Sequence, residues 1–372
     1  MAGGFGPPIL PFSAFKSLLS FLRIRRIWLG HAAKSERVEE MLFFRNAGLT
    51  LGTGYILFFC SERLFWSVLK PGDSIGEIAV TWLAYSTIAY WFLALTRWFQ
   101  MRSAVAVLLA GACYGWMAEG MLVGTLYGTE SSAPFPLSVV CTGLSWHALI
   151  SVGIGWYAVQ WCLRQGRLLP LLGWAVLLGI FWGVWATFLW NEKPPVRVNA
   201  GEFAVHAFVT GLLFFASHAL VRRLDARRFQ PRPLGLILTG GILLVFYGQQ
   251  VRALGVRPLV VLPVLFGAVA WAMSRGRRKE ETEILAEGSK VAETAGKSDR
   301  FCKGGWGLLI MPAVATLVYA GLSRVEDWEK VPVAKILMYW VTAPVGAGTF
   351  VWAFWRSAFA IPIAERKGTT SA

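Results

Sequence analysis

Charge is what this sequence has least of. Only 15% of its 372 residues are Asp, Glu, Lys or Arg, against about a quarter in an average soluble domain. Histidine occurs four times and cysteine five. The cysteines (Cys60, Cys113, Cys141, Cys162 and Cys302) form no C-x-x-C pair. A disulfide framework is therefore not expected, and they read as small buried hydrophobes. The sequence has no P-loop, no G-x-S-x-G elbow and no D-D-x-x-D cluster, which counts against phosphate-cradle, nucleophile-elbow and prenyl-transfer chemistry. No lysine sits in the middle of an apolar run, so a retinal Schiff base is not expected. Zinc-finger spacing and interleaved basic–aromatic motifs are missing too, and nucleic acid is not an expected partner.

What the chain has instead is apolar length. It is 56% hydrophobic, with 19 Trp and 25 Phe. Runs of about 20 apolar residues recur, the length a helix needs to cross a bilayer with every backbone polar group paired inside it. The expected fold class is an all-α polytopic integral membrane helix bundle of ten spans. They are placed at about 44–64, 78–98, 104–127, 136–162, 168–190, 201–221, 234–251, 257–274, 305–322 and 335–360.

The few charges are sorted by side. Segments on the N-terminal side of this topology hold 27 of the 36 Lys and Arg; the other side holds 9. This positive-inside pattern predicts that both termini are cytoplasmic. It assigns the net charge of +15 to topology and anionic lipid headgroups. The expected location is the cell (inner) membrane. An organelle membrane is the alternative, because no acidic residue precedes Glu36.

Five segments follow. Residues 1–43 form a cytoplasmic N-terminal segment. Within it, Phe12 to Gly30 offers an interfacial amphipathic helix, with Phe15, Leu18, Leu19 and Leu22 on one face and Lys16, Ser20 and Arg23 on another. Residues 44–274 make an eight-span body, and 275–304 a polar cytoplasmic loop with a short helix around Glu280 to Ala286. Residues 305–360 form a two-span hairpin and 361–372 a tail. The remaining loops are short, so function is expected in the spans or at their outer mouths.

Against this background Glu119 stands out, inside "ACYGWMAEGMLVGTLYG". A carboxylate at the centre of a spanning helix costs a few kcal/mol (about 2.5–3.5 on insertion scales). Gly115 and Gly111 precede it at four and eight residues, a face that lets another helix approach. The next span places Gly143, His147, Ser151 and Gly155 at four-residue spacing. At ~1.5 Å per residue, Glu119 lies ~12 Å below the outer end of its span and His147 ~16 Å below that of the next. The reading predicts a Glu119–His147 contact near the midplane. The pair suits general acid/base catalysis, metal ligation or a proton relay; its structural alternative is a neutral hydrogen-bonded register pin.

Other polar residues gather toward the outer half. Glu62 and Arg63 end the first span. Glu77, Thr81 and Tyr85 open the second, and Glu202, His206 and Thr210 the sixth. Tyr247, Gln249, Gln250 and Arg252 close the seventh. They suggest a polar cavity open to the outside, walled by Trp116, Trp146, Trp182 and Trp185. Glu202-x-x-x-His206 puts two metal-ligand types on one face; the alternative is that Glu202 serves the helix N-terminus. A divalent metal, if one is held, is expected to be zinc, which imidazole and carboxylate suit. Glu62, Arg63, Tyr85, Gln250 and Arg252 are candidate substrate contacts, with Arg63 suited to a phosphate or carboxylate headgroup. His218 reads as a packed histidine; nothing beyond the histidines supports a haem.

Three functions fit. The first is an intramembrane enzyme acting on a lipid-soluble or outer-leaflet substrate through Glu119 and His147. The second is a proton-coupled transporter. The third is a non-catalytic subunit of a larger membrane complex, with bilayer and protein partners. The absence of an internal repeat counts against the second, since many transporters are built from repeats.

Overall fold

Ser74 and Asn199 each start a long helix in the same way. Each side chain accepts from a backbone N–H three residues on, and Glu77 or Glu202 reaches back to the cap's own N–H. These capping boxes satisfy donors that a helix start otherwise leaves open. The computed structural model describes residues 39–68, 73–101, 103–130, 133–192, 194–287 and 304–359. The structure is 86% helical, and no strand occurs among the described residues. The chain divides into Met1–Ala47 and Gly48–Ala372. Of the first unit residues 39–47 are described, and they are helical. The expected amphipathic helix at Phe12 to Gly30 lies outside the described residues.

The second unit is a helix bundle. Its first helix, α1, covers residues 48–66. Nine more long helices follow among the described residues: α2 (Ile75–Trp98), α3 (Ala104–Leu122), α4 (Val139–Gln165), α5 (Leu168–Asn191), α6 (Ala200–Leu224), α7 (Pro233–Leu254), α8 (Arg257–Glu287), α9 (Gly305–Leu322) and α10 (Val333–Ala358). All nine are long and apolar enough to cross a membrane, α8 over Arg257–Arg277. The all-α polytopic architecture follows.

Two boundaries differ from the sequence reading. The third span was expected to reach residue 127, but α3 ends at Leu122. There Gly124 turns the chain in the left-handed region (φ 81°), and Thr125–Tyr127 form a 3₁₀ turn. Hydropathy alone carried the span too far, because "TLY" is apolar while the break is made by glycine backbone freedom. The polar stretch after residue 274 begins as helix, since α8 continues to Glu287.

Lipid tails are as apolar as leucine, so close packing and hydrogen bonds join such helices rather than the hydrophobic effect. The α3–α4 contact is one of the closest in the fold. Gly115 packs on the Gly143 carbonyl and on His147, where a Cβ would come within 2.8 Å of the histidine's own. The α5–α9 contact uses the same device, Gly179 and Gly183 lying against Val314 and Val318. Helix α10 packs on α4, α3 and α8, and α9 on α5 and α6. Helix α7 is the outlier, with Leu243 its single buried residue.

The four expected wall tryptophans are buried; three act as fasteners, while the Trp182 indole N–H has no hydrogen-bond partner among the described residues. Trp146 donates to the Cys60 carbonyl at 2.9 Å, Trp185 to the Phe65 carbonyl at 2.7 Å, and Trp116 to the Val139 carbonyl at 3.4 Å. Trp146, Trp185, Phe65 and Phe188 interleave with ring centroids 4.7–5.7 Å apart. This clamps the end of α1 between α4 and α5.

Candidate functional site

Four helices carry π-helical segments among the described residues; α10 has one at Ile336–Thr342, and the other three lie where their helices' polar residues are. Helix α1 is π-helical over Phe59–Arg63, α3 over Ala118–Leu122, and α4 over Val139–Ala158. The i→i+5 pattern is rare and concentrates at functional sites. Here these segments carry Ser61, Glu62, Arg63, Glu119 and His147.

The Glu119–His147 contact is present. Glu119 Oε1 lies 2.5 Å from His147 Nε2. Both side chains are buried, the imidazole 2% exposed and the carboxylate 11%. Because α3 stops early, Glu119 sits three residues from its end rather than deep within the span. The turn brings the Thr125 hydroxyl back onto the Glu119 carboxylate. Tyr127 donates to the Gly120 carbonyl at 2.8 Å, Ser138 to the Leu126 carbonyl at 2.8 Å, and Arg257 to the Tyr127 carbonyl at 2.9 Å. The turn is thereby held from three directions.

The second imidazole nitrogen meets a residue that the sequence reading missed. His147 Nδ1 is 2.9 Å from Ser61 Oγ, which also lies 3.0 Å from the Tyr114 hydroxyl and 3.1 Å from Ser151 Oγ. One proton order satisfies the whole chain. Ionised Glu119 accepts from Nε2–H, Nδ1 accepts from the Ser61 hydroxyl, and Ser61 accepts from Tyr114 and Ser151. Ser61 carried one signal, its place in the polar run "CSER" closing an apolar span. Its partners come from two other helices, and no spacing within α1 encodes that.

Beside this chain is a second carboxylate. Tyr85 donates to Glu62 Oε1 at 2.7 Å, and Glu62 lies within electrostatic range of both Glu119 and His147. The site therefore holds two carboxylates, each on a fixed donor, against an imidazole and a file of hydroxyls. Glu62 is half-buried, whereas Ser61, Tyr114 and His147 lie behind it, fully buried.

The remaining candidates disperse. Glu202 is exposed and engaged in its capping box, while His206, one turn on, is buried against the Arg63 turn. The two share a helix without sharing a site. Among the described residues no group of three or more His, Cys, Asp or Glu stands together that could hold a metal. Gln250 donates to the Leu122 carbonyl at 3.2 Å, bracing the end of α3, and Arg252 is exposed. Glu77 is likewise exposed at its helix start. His218 is fully buried and meets Gln160 Nε2 at 2.8 Å through Nδ1. Compared with protein-family models, curated proteins and solved structures, the chain matches none.

Proposed function

We propose that this protein is an intramembrane acid–base enzyme for a lipid-soluble or outer-leaflet substrate. Glu119 is the proton-transferring carboxylate and His147 its positioning partner. The carrying observation is the 2.5 Å Glu119–His147 contact with the far imidazole nitrogen fixed by Ser61. An imidazole anchored on both sides holds one tautomer and one orientation. A carboxylate so placed can take a proton from substrate on its free lone pairs while the imidazole N–H stays bonded to Oε1. Glu62, held by Tyr85, supplies a second carboxyl group that in its protonated form gives a proton elsewhere on the substrate, and the two groups return to their starting states by exchange with solvent. Paired carboxylates of this kind suit proton abstraction and return, or hydration, rather than transfer of a large group.

The test uses purified protein and a total lipid extract of its own membrane, incubated in D₂O and read by high-resolution mass spectrometry. Wild type is expected to change the mass of a lipid species or to load it with deuterium. E119Q and H147A, folded as judged by size exclusion, are expected to do neither. No label and no mass change with wild type overturns the reading.

A second reading rests on Ser61. Its contacts with Tyr114 and Ser151 can run in either donor direction, the property a proton-relay transporter needs. Proton flux in proteoliposomes that E119Q abolishes would favour it over the enzyme. The non-catalytic subunit rests on the short loops, the many aromatics and the lack of a complete catalytic motif.

The topology belongs to the same proposal: ten spans counting α1, both termini cytoplasmic, in the cell (inner) membrane, with the Glu62–Glu119 cluster in the outer half. The charge asymmetry of the loops supports it.

A further inference from the structure

The π-helical turn of α1 points its three polar residues three ways. Ser61 meets His147 and Glu62 meets Tyr85. Arg63 meets no acceptor among the described residues. Its guanidinium stacks on Phe58, 5.2 Å from the ring centroid. The residue is 7% exposed, yet Nε and Nη1 are buried without a hydrogen-bond partner. No ion pair to Arg63 occurs among the described residues. His206 lies against the backbone of the same turn and within range of the guanidinium charge; it is 8% exposed, and its Nε2 also has no partner. Asp73 is within electrostatic range of His206 and Glu62 within range of Arg63, so two carboxylates stand at the edge of this group.

Buried polar groups are almost always hydrogen-bonded, and an unpaired buried cation is the costliest exception. Two such residues from different helices, both nine-tenths buried and both with open nitrogens, mark a place built for an anion. The guanidinium fork matches phosphate or carboxylate oxygens; the His206 ring already bonds the Arg63 backbone through one nitrogen, so its Nε2 donates to an anion only as the imidazolium, the form a bound anion favours. We propose that Arg63 and His206 form an oxyanion site that holds the acidic headgroup of an amphiphile. The reading of this amphiphile as the substrate rests on the acid–base function above, because Glu62 and Ser61 precede Arg63 on the same turn. The site itself does not depend on that function.

The experiment measures binding, not turnover. Purified wild type, R63Q, H206Q and E119Q are titrated in detergent with dioleoylphosphatidate, oleate, neutral dioleoylglycerol and inorganic phosphate, and occupancy is read by native mass spectrometry. Wild type and E119Q are expected to retain phosphatidate or oleate at least tenfold better than dioleoylglycerol. R63Q is expected to lose that preference and H206Q to weaken it severalfold. Binding of inorganic phosphate as tight as phosphatidate, and lost in R63Q, also supports the oxyanion site but makes its ligand a free anion. Equal retention by R63Q and wild type, or no anion preference in wild type, overturns the proposal. Should R63Q not fold, a phosphatidate with a photoreactive headgroup carries the test in wild type. Cross-links in peptides bearing Arg63 or His206 support the site, and cross-links confined elsewhere sink it. A failed deuterium assay with anion binding intact would remove the enzyme reading and leave this site standing.

Discussion

At the residue scale the Glu119–His147–Ser61 chain is a set of mutual dependencies, and substitutions separate chemistry from support. Glu119→Gln keeps an acceptor for the imidazole N–H, so its stability cost should stay near the net worth of one hydrogen bond, about 1 kcal/mol, while proton transfer is lost. His147→Ala leaves a buried carboxylate without its partner and should cost about 3–5 kcal/mol, the penalty for breaking a buried pair. Ser61→Ala leaves one imidazole nitrogen unsatisfied, for about 1–3 kcal/mol. Thermal unfolding in detergent alongside the deuterium assay checks the order. A Glu119→Gln protein as unstable as His147→Ala would make the pair a register pin instead. Much of this was legible: a lone carboxylate and a lone histidine, each on a glycine-lined face of consecutive spans, had to meet. Ser61 was not legible, because serine is common in spanning helices and only the convergence of α1, α3 and α4 turns this one toward His147.

At the element scale, glycine placement and π-geometry set the site. The sequence pattern located the nine helices α2 to α10 within a few residues, since long apolar runs leave little choice. It misjudged the end of α3, where the apolar "TLY" hides a backbone reversal, and it read the tryptophans as a cavity wall. Indole N–H groups need acceptors, and for Trp116, Trp146 and Trp185 the acceptors proved to be carbonyls of α1 and α4. Gly115→Ala is the direct test of the α3–α4 contact. The added methyl meets the Gly143 carbonyl and His147 Cβ, neither a flexible chain end, so the helices must part. A loss of about 1–3 kcal/mol is expected, as for overpacking elsewhere, together with loss of activity beyond that of an equally destabilised variant remote from the site. Gly124→Ala should cost about 1 kcal/mol through its left-handed backbone, should push aside the Gln250 side chain that its methyl would meet, and should release the Thr125 hydroxyl from Glu119. Wild-type melting of Gly115→Ala would mean that α3 and α4 are not held by this contact.

At the scale of the whole molecule, charge rather than packing is expected to set orientation, and orientation sets which leaflet the Glu62–Arg63 turn faces. Turns 99–103 and 225–232 and the stretch after residue 274 fall on one side of an alternating bundle; turns 123–138, 192–199 and 323–332 fall on the other. The first group is rich in arginine. Among its charges is the Asp225–Arg227 pair, joined at 3.0 and 3.2 Å. Burial pushes the Asp225 carboxyl up, but its hydrogen bonds and charge contact with Arg227 outweigh that and hold it below its ordinary value of 3.8. A depressed carboxylate adds stability that is complete above its unfolded value and fades as pH falls through the folded one. That local brace should therefore weaken only below about pH 4. The arginine-rich side is thus fixed at any physiological pH, and it should face the cytoplasm. Single cysteines at Glu130, Glu192 and Glu326, in a background with the native cysteines replaced, should react with a membrane-impermeant maleimide in intact cells. Cysteines at Arg228 and Lys290 should react only after permeabilisation. The reverse pattern would turn the bundle over, place Glu62 and Arg63 toward the cytoplasmic leaflet, and require that the amphiphile be drawn from there.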